Sequence, residues 1–94
     1  MNRNINNKLE FTLQLKAVDF RNTEFNDCNK CAIEKAILRQ LGTDNAFDGV
    51  TVVTIEDKDF KHDMYGIFLF EQDKIEAESF SNDMVIRELI LTEV

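Results

Sequence analysis

Cys28-Asn29-Lys30-Cys31 sets two thiols three positions apart, the spacing of dithiol redox sites and of one half of a structural zinc site. A helix beginning there would favour the thiolate, because its first N–H groups are unpaired and its dipole is positive at that end. The flanking residues lack the pattern of the redox families and the preceding segment is half polar, so buried or capping cysteines explain the spacing more simply. A closed zinc site takes four ligands, and beyond these thiols the chain offers His62 and carboxylates. No metal and no cofactor is therefore expected, unless two chains pool their thiols across a dimer. His62 lies in the polar run Phe60-Lys61-His62-Asp63 beside a turn signal and reads as a solvated imidazole. A single histidine cannot divide acid and base roles, and there is no Gly-rich phosphate loop or nucleophile elbow. No catalytic residues are assigned, and the close pairs Asp57 with Asp59 and Glu76 with Glu78 read as turn and surface residues.

A different chemistry is suggested by Arg21, Asn22, Thr23, Asn26 and Lys30, which cluster around a helix start expected near Asn29, with Lys35 and Arg39 further along. They form the locally basic segment of an acidic chain. Backbone N–H groups at a helix start, with cations beside them, suit a phosphate or a cyclic nucleotide held between loop and helix. The competing account is a loop whose Asn, Thr and Asp side chains cap the helix. Phe25, Phe60 and Tyr65 have the faces to stack on a base, although aromatic residues in so short a chain ordinarily fill the core.

The wider composition constrains both ideas. Ninety-four residues make one compact domain, with residues 1–7 as a flexible tail. The net charge of −7 is uneven: residues 1–62 carry nine Lys and Arg against ten Asp and Glu, residues 63–94 two against eight. This argues against duplex nucleic acid as a partner, since phosphate-backbone binding depends on clustered cations. No stretch has the length of a membrane span or the apolar centre of a signal peptide, and the cysteines do not form a secreted framework, so a cytoplasmic protein is expected.

The elements that must position these residues follow from periodicity. Lys8 to Ala17 alternates, with Leu9, Phe11, Leu13, Leu15 and Ala17 on one face: a strand with one wet side. Residues 21–27 read as a loop, pinned by Phe20 and Phe25. Ala32, Ile33, Ala36, Ile37 and Leu41 recur at helical spacing, with Asp27 or Asn29 as N-cap and Gly42 as the stop. Thr43-Asp44-Asn45 and Gly49 mark a turn before the β-branched strand Val50 to Ile55, whose mixed faces suggest burial on both sides. Asp57-Lys58-Asp59 signals a turn. Met64–Phe70 reads as a third strand, Glu71–Phe80 as a short surface helix and Met84–Val94 as a final strand. The resulting α+β fold has the order β-α-β-β-α-β, a small sheet with two helices on one face, as in a ferredoxin-like sandwich.

The stretch from Val18-Asp19-Phe20 through Asn26-Asp27-Cys28-Asn29-Lys30-Cys31-Ala32-Ile33-Glu34-Lys35-Ala36-Ile37-Leu38-Arg39 resembles small bacteriophage and prophage proteins in which a strand leads through a polar loop to a helix starting Cys-Ala or Cys-Pro. The resemblance covers about a third of the chain and implies a phage or mobile-element origin. It also implies, by association, a role against host defence. The expected function is a non-enzymatic binding protein that sequesters a small anionic, nucleotide signal through residues 21–39, as a homo-oligomer formed through sheet edges and surplus apolar residues, with pockets shared between subunits enlarging the small site. The alternative is an acidic interaction protein or DNA mimic that blocks a host defence protein with Glu71, Asp73, Glu76 and Glu78; a virion or assembly component is a third.

Overall fold

A computed structural model describes residues 8–23, 31–49, 51–63 and 65–94. The tail expected at residues 1–7, Phe25, Asn26, Asp27, Cys28, Asn29, Lys30, Val50 and Met64 lie outside the described residues. The chain is an α+β fold with five strands and two helices: β1 (Glu10–Lys16), a 3-10 turn (Ala17–Phe20), α1 (Ala32–Leu41), β2 (Ala46–Asp48), β3 (Val52–Ile55), β4 (Lys58–Lys61), α2 (Ile67–Ala77) and β5 (Val85–Glu93). The strands form one antiparallel sheet in the order β1-β5-β4-β3-β2.

The α+β class and the two helices agree with the sequence pattern, while the element order gains a strand. Of Asp57-Lys58-Asp59, expected as a turn, Lys58 and Asp59 instead open β4, and the turn proper is Glu56-Asp57, both at positive φ (51° and 68°). That is the backbone a two-residue hairpin needs to match strand twist, and it closes the pair Ile55↔Lys58. Met64–Phe70, expected as a strand, is helical from Ile67, so α2 starts earlier than Glu71 and ends at Ala77. The strand order differs from a ferredoxin-like sandwich: β1 lies at an edge beside β5, and β2 to β5 form a meander.

The register shows why one face is dry. Phe11 lies opposite Leu91, Leu13 opposite Leu89 and Val53 opposite Phe60, so period-2 alternation gathers these side chains on the face that receives the helices. Ala32, Ile33, Ala36 and Ile37 of α1 pack with Leu13, Leu15, Phe20, Val53 and Leu91 in the core. In β3 only Val53 and Ile55 are buried; Val52 and Thr54 are half-buried, so the expected two-sided burial is partial. Phe60 meets Phe11 edge to face at 5.5 Å, and Phe20 packs at 5.7 Å from Phe70. Phe20 thus pins the chain after β1, as expected.

Arg87 faces the same dry side from β5, and α2 answers it. Its Nε donates to Asp73 Oδ2 at 2.5 Å and its Nη2 to Oδ1 at 3.2 Å, while the Tyr65 hydroxyl donates to the same carboxylate at 3.0 Å. The guanidinium lies 5.6 Å from the Tyr65 ring centroid. This network ties α2 to β5, and none of its buried side-chain polar atoms lacks a partner.

The edge strand β1 is closed by α1 side chains. Gln40 accepts from the Gln14 backbone N–H at 3.0 Å and donates to the Thr12 carbonyl at 2.9 Å, and Arg39 donates to the Gln14 carbonyl at 2.6 Å. An open edge is a template for pairing with another chain. Here the Thr12 carbonyl and the Gln14 N–H and carbonyl are already bonded to α1, so this part of the edge is not open to another chain.

Candidate functional site

Among the residues expected to bind a ligand, Arg21, Asn22, Lys35 and Arg39 line one open pocket of about 420 Å³, together with Val18, Asp19 and Leu38. The 3-10 turn and the turn after it supply one wall. Lys35, Leu38 and Arg39, at helical spacing i, i+3 and i+4, supply the other. Thr23 is not part of this lining: it is buried, and its hydroxyl donates to the Phe20 carbonyl at 2.9 Å. Asn26 and Lys30 lie outside the described residues.

Each cation also has a structural partner. Arg21 ends α2, donating from Nη1 to the Ala77 carbonyl at 3.0 Å, from Nη2 to the Phe80 carbonyl at 2.7 Å and from Nε to Asn82 Oδ1 at 3.1 Å. The Ala77 carbonyl, which also accepts from the Phe80 N–H at 3.1 Å, ends α2, and a cation there complements the helix dipole. Lys35 Nζ donates to the Arg21 carbonyl at 2.6 Å, and Lys74 Nζ to that of Thr23. Arg39 grips the buried carboxylate of Asp19 with Nε at 3.1 Å and Nη2 at 2.8 Å. The Lys16 backbone N–H donates to the same carboxylate at 2.8 Å. The pocket wall still holds three cationic side chains against the one carboxylate of Asp19.

The helix start lies apart from this pocket. α1 begins at Ala32 with Cys31 as its N-cap, not at Asn29. Glu34 is in its first turn, and Asp48 of β2 is drawn against it: Cys31 Sγ donates to Asp48 Oδ2 at 3.3 Å and the Asp48 backbone N–H donates to Glu34 Oε2 at 3.3 Å. Carboxylates therefore occupy the surroundings where an anion was expected. Burial, reinforced by the negative charge of Asp48, pushes the Cys31 thiol up to about 12. Burial also raises Asp48, against the opposing bond from Cys31 and the proximity of His62. Cys31 carries no disulfide.

His62 is not the solvated imidazole its neighbours suggest. Its side chain is fully buried, and Nδ1 meets the Asp63 carbonyl while Nε2 points at Asp48 Oδ1, 4.0 Å away. The alternation that takes Phe60 inward and Lys61 outward would have carried His62 inward as well. Phe60 and Tyr65 are core residues rather than stacking platforms. Of the acidic set on α2, Asp73 is buried against Arg87, whereas Glu71, Glu76 and Glu78 are exposed. No helix among the described residues is long and apolar enough to cross a membrane.

Comparison with protein-family models, curated proteins and solved structures finds no match.

Proposed function

We propose that the protein is a non-enzymatic binding protein that takes a small anionic ligand of the nucleotide class in the pocket between the 3-10 turn and α1. The observation that supports this is the pocket itself, whose wall concentrates Arg21, Lys35 and Arg39 in a chain of net charge −7. Its volume of about 420 Å³ falls in the range of small-molecule sites. Val18 and Leu38 supply apolar surface for a base or sugar, and the guanidinium and ammonium groups retain N–H donors for phosphate oxygens. In the setting that the phage resemblance implies, such binding sequesters a host defence signal.

The arginines are poor test positions because they hold the fold together. Leu38, half exposed in the wall, can be changed without removing an internal hydrogen bond. Native mass spectrometry with a panel of linear and cyclic nucleotides should show one retained nucleotide per site in the wild type and none in Leu38→Glu. Equal retention by both, or by neither, removes the proposal.

A second reading has its own observation. Phe68 and Ile75 of α2 are 70% and 63% exposed and share a helical face with Glu71. An apolar pair beside carboxylates suits a basic protein surface better than it suits mimicry of DNA. Phe68→Ser with Ile75→Ser should then abolish binding to the target while leaving nucleotide binding unchanged.

A further inference from the structure

The three cations of the pocket wall are not equal. Their hydrogen bonds within the protein differ, and the N–H groups left over are what a ligand can meet. A guanidinium has five N–H groups, and Arg21 spends three of them on the Ala77 and Phe80 carbonyls and on Asn82 Oδ1, so its head group is turned toward the C-terminal end of α2. Arg39 spends Nε and both hydrogens of Nη2 on Asp19 and the Gln14 carbonyl. The two N–H groups of its Nη1 have no partner among the described residues, while its charge is matched by Asp19. Lys35 differs from both. Its ammonium gives one hydrogen to the neutral Arg21 carbonyl and keeps two, and no carboxylate among the described residues forms an ion pair with it.

We infer that Lys35 and Arg39 are the anion clamp of the pocket, with Lys35 as its uncompensated charge, and that the ligand carries a single phosphoryl group on a single nucleoside. The inference rests on the reading of this pocket as a nucleotide site. The two residues stand one helical turn apart on α1, with roughly 5–6 Å between their Cβ atoms, so their remaining N–H groups belong to one short stretch of the wall. Those groups suffice for the free oxygens of one phosphate, linear or cyclic. A triphosphate carries further phosphoryl groups past the clamp, and a cyclic dinucleotide carries a second phosphate beyond its reach. Either would then meet a chain of net charge −7 in which the remaining cation of the wall, Arg21, is committed to α2. The volume points the same way: about 420 Å³ stands near the low end of the roughly 300–1,000 Å³ of ligand clefts, which suits one nucleoside rather than two.

The experiment is isothermal titration calorimetry of the full chain at fixed ionic strength. The titrants are the 5′-monophosphates, 3′,5′-cyclic monophosphates and 5′-triphosphates of adenosine, guanosine, cytidine and uridine, with the cyclic dinucleotides of adenine and guanine. One monophosphate should bind in the pocket, and the linear and cyclic arms show which form it is. The triphosphate of the same base and the cyclic dinucleotides should bind about tenfold or more weakly. This comparison uses the wild type and so does not depend on the folding of any variant. Lys35→Gln, with folding checked by circular dichroism, should weaken the monophosphate by about tenfold or more, and Lys35→Arg, which keeps the charge, should recover most of that loss. A triphosphate or cyclic dinucleotide that binds as tightly as the monophosphate, or a folded Lys35→Gln protein that binds as the wild type does, overturns the clamp while leaving the pocket a nucleotide site. Silence of every nucleotide with the wild type removes the nucleotide reading and this inference with it.

Discussion

Arg39 holds the buried carboxylate of Asp19 with two nitrogens and, from the same Nη2, donates to the Gln14 carbonyl on the open edge of β1. One side chain thereby fixes α1 to the 3-10 turn and to the sheet. Arg39→Ala strands a carboxylate that is 3% exposed, and the expected cost is about 3 kcal/mol, the low end for a broken buried pair because the guanidinium is 30% exposed. The urea midpoint should fall with an unchanged slope. A loss of nucleotide binding in this variant would therefore say little about contact with the ligand.

Gln40 reproduces the hydrogen bonds of a neighbouring strand for Thr12 and Gln14. Gln40→Ala should cost about 1–2 kcal/mol. It should also turn a monodisperse sample into one that self-associates with concentration, measurable by sedimentation velocity. An unchanged sedimentation profile would show that Arg39 alone suffices to close the edge.

Tyr65 is the sole tyrosine and there is no tryptophan, so its ionisation can be followed directly by phenolate absorbance. Burial, then the charge of Asp73 and the hydrogen bond to it, raise its pKa above the usual value near 10. In the native protein the phenolate signal should stay absent through that pH and appear together with unfolding. Because the folded state keeps a proton that the unfolded state gives up, Tyr65 contributes its full stability below about pH 10 and loses it as pH rises beyond. Normal titration without loss of structure would contradict the buried network.

Asp57 occupies a hairpin position with φ of 68°, where glycine is preferred. Asp57→Gly should stabilise the protein by about 0.5–1 kcal/mol, seen as a melting temperature a few degrees higher. A decrease would mean that the Asp57 side chain contributes a contact greater than the backbone strain.

The sequence revealed much of this architecture because certain signals are local. Alternation from Leu9 to Leu15 and the spacing of Ala32, Ile33, Ala36 and Ile37 have one interpretation each, and Gly42 at φ 77° is the helix stop it resembles. Lys58-Asp59-Phe60-Lys61 offers a single apolar residue, too little to mark β4. The apolar run ending at Phe70 fits both periods, and α2 exists because Leu69, Phe70, Asp73 and Ala77 find partners that the sequence cannot show. Arg21, Asn22, Lys35 and Arg39 were legible as a basic group, but not their use as a helix cap and ion pair. Asp48 meets Cys31 through one oxygen and faces His62 with the other, from separate elements, and only the sheet's register and the packing of α1 form these contacts.

β1 completes its ladder against β5, joining Glu10 to Thr92 and Leu13 to Leu89 across most of the chain's length. A ribosome must therefore release β5 before this edge pair can close, and until then Leu13, Leu15 and Phe20 have no β5 to cover them. Folding should be slow for the domain's size, since distant segments must meet before their contacts give any return. A truncation before Val85 should leave a chain that chaperones hold, and proteases clear, rather than a smaller version of this fold.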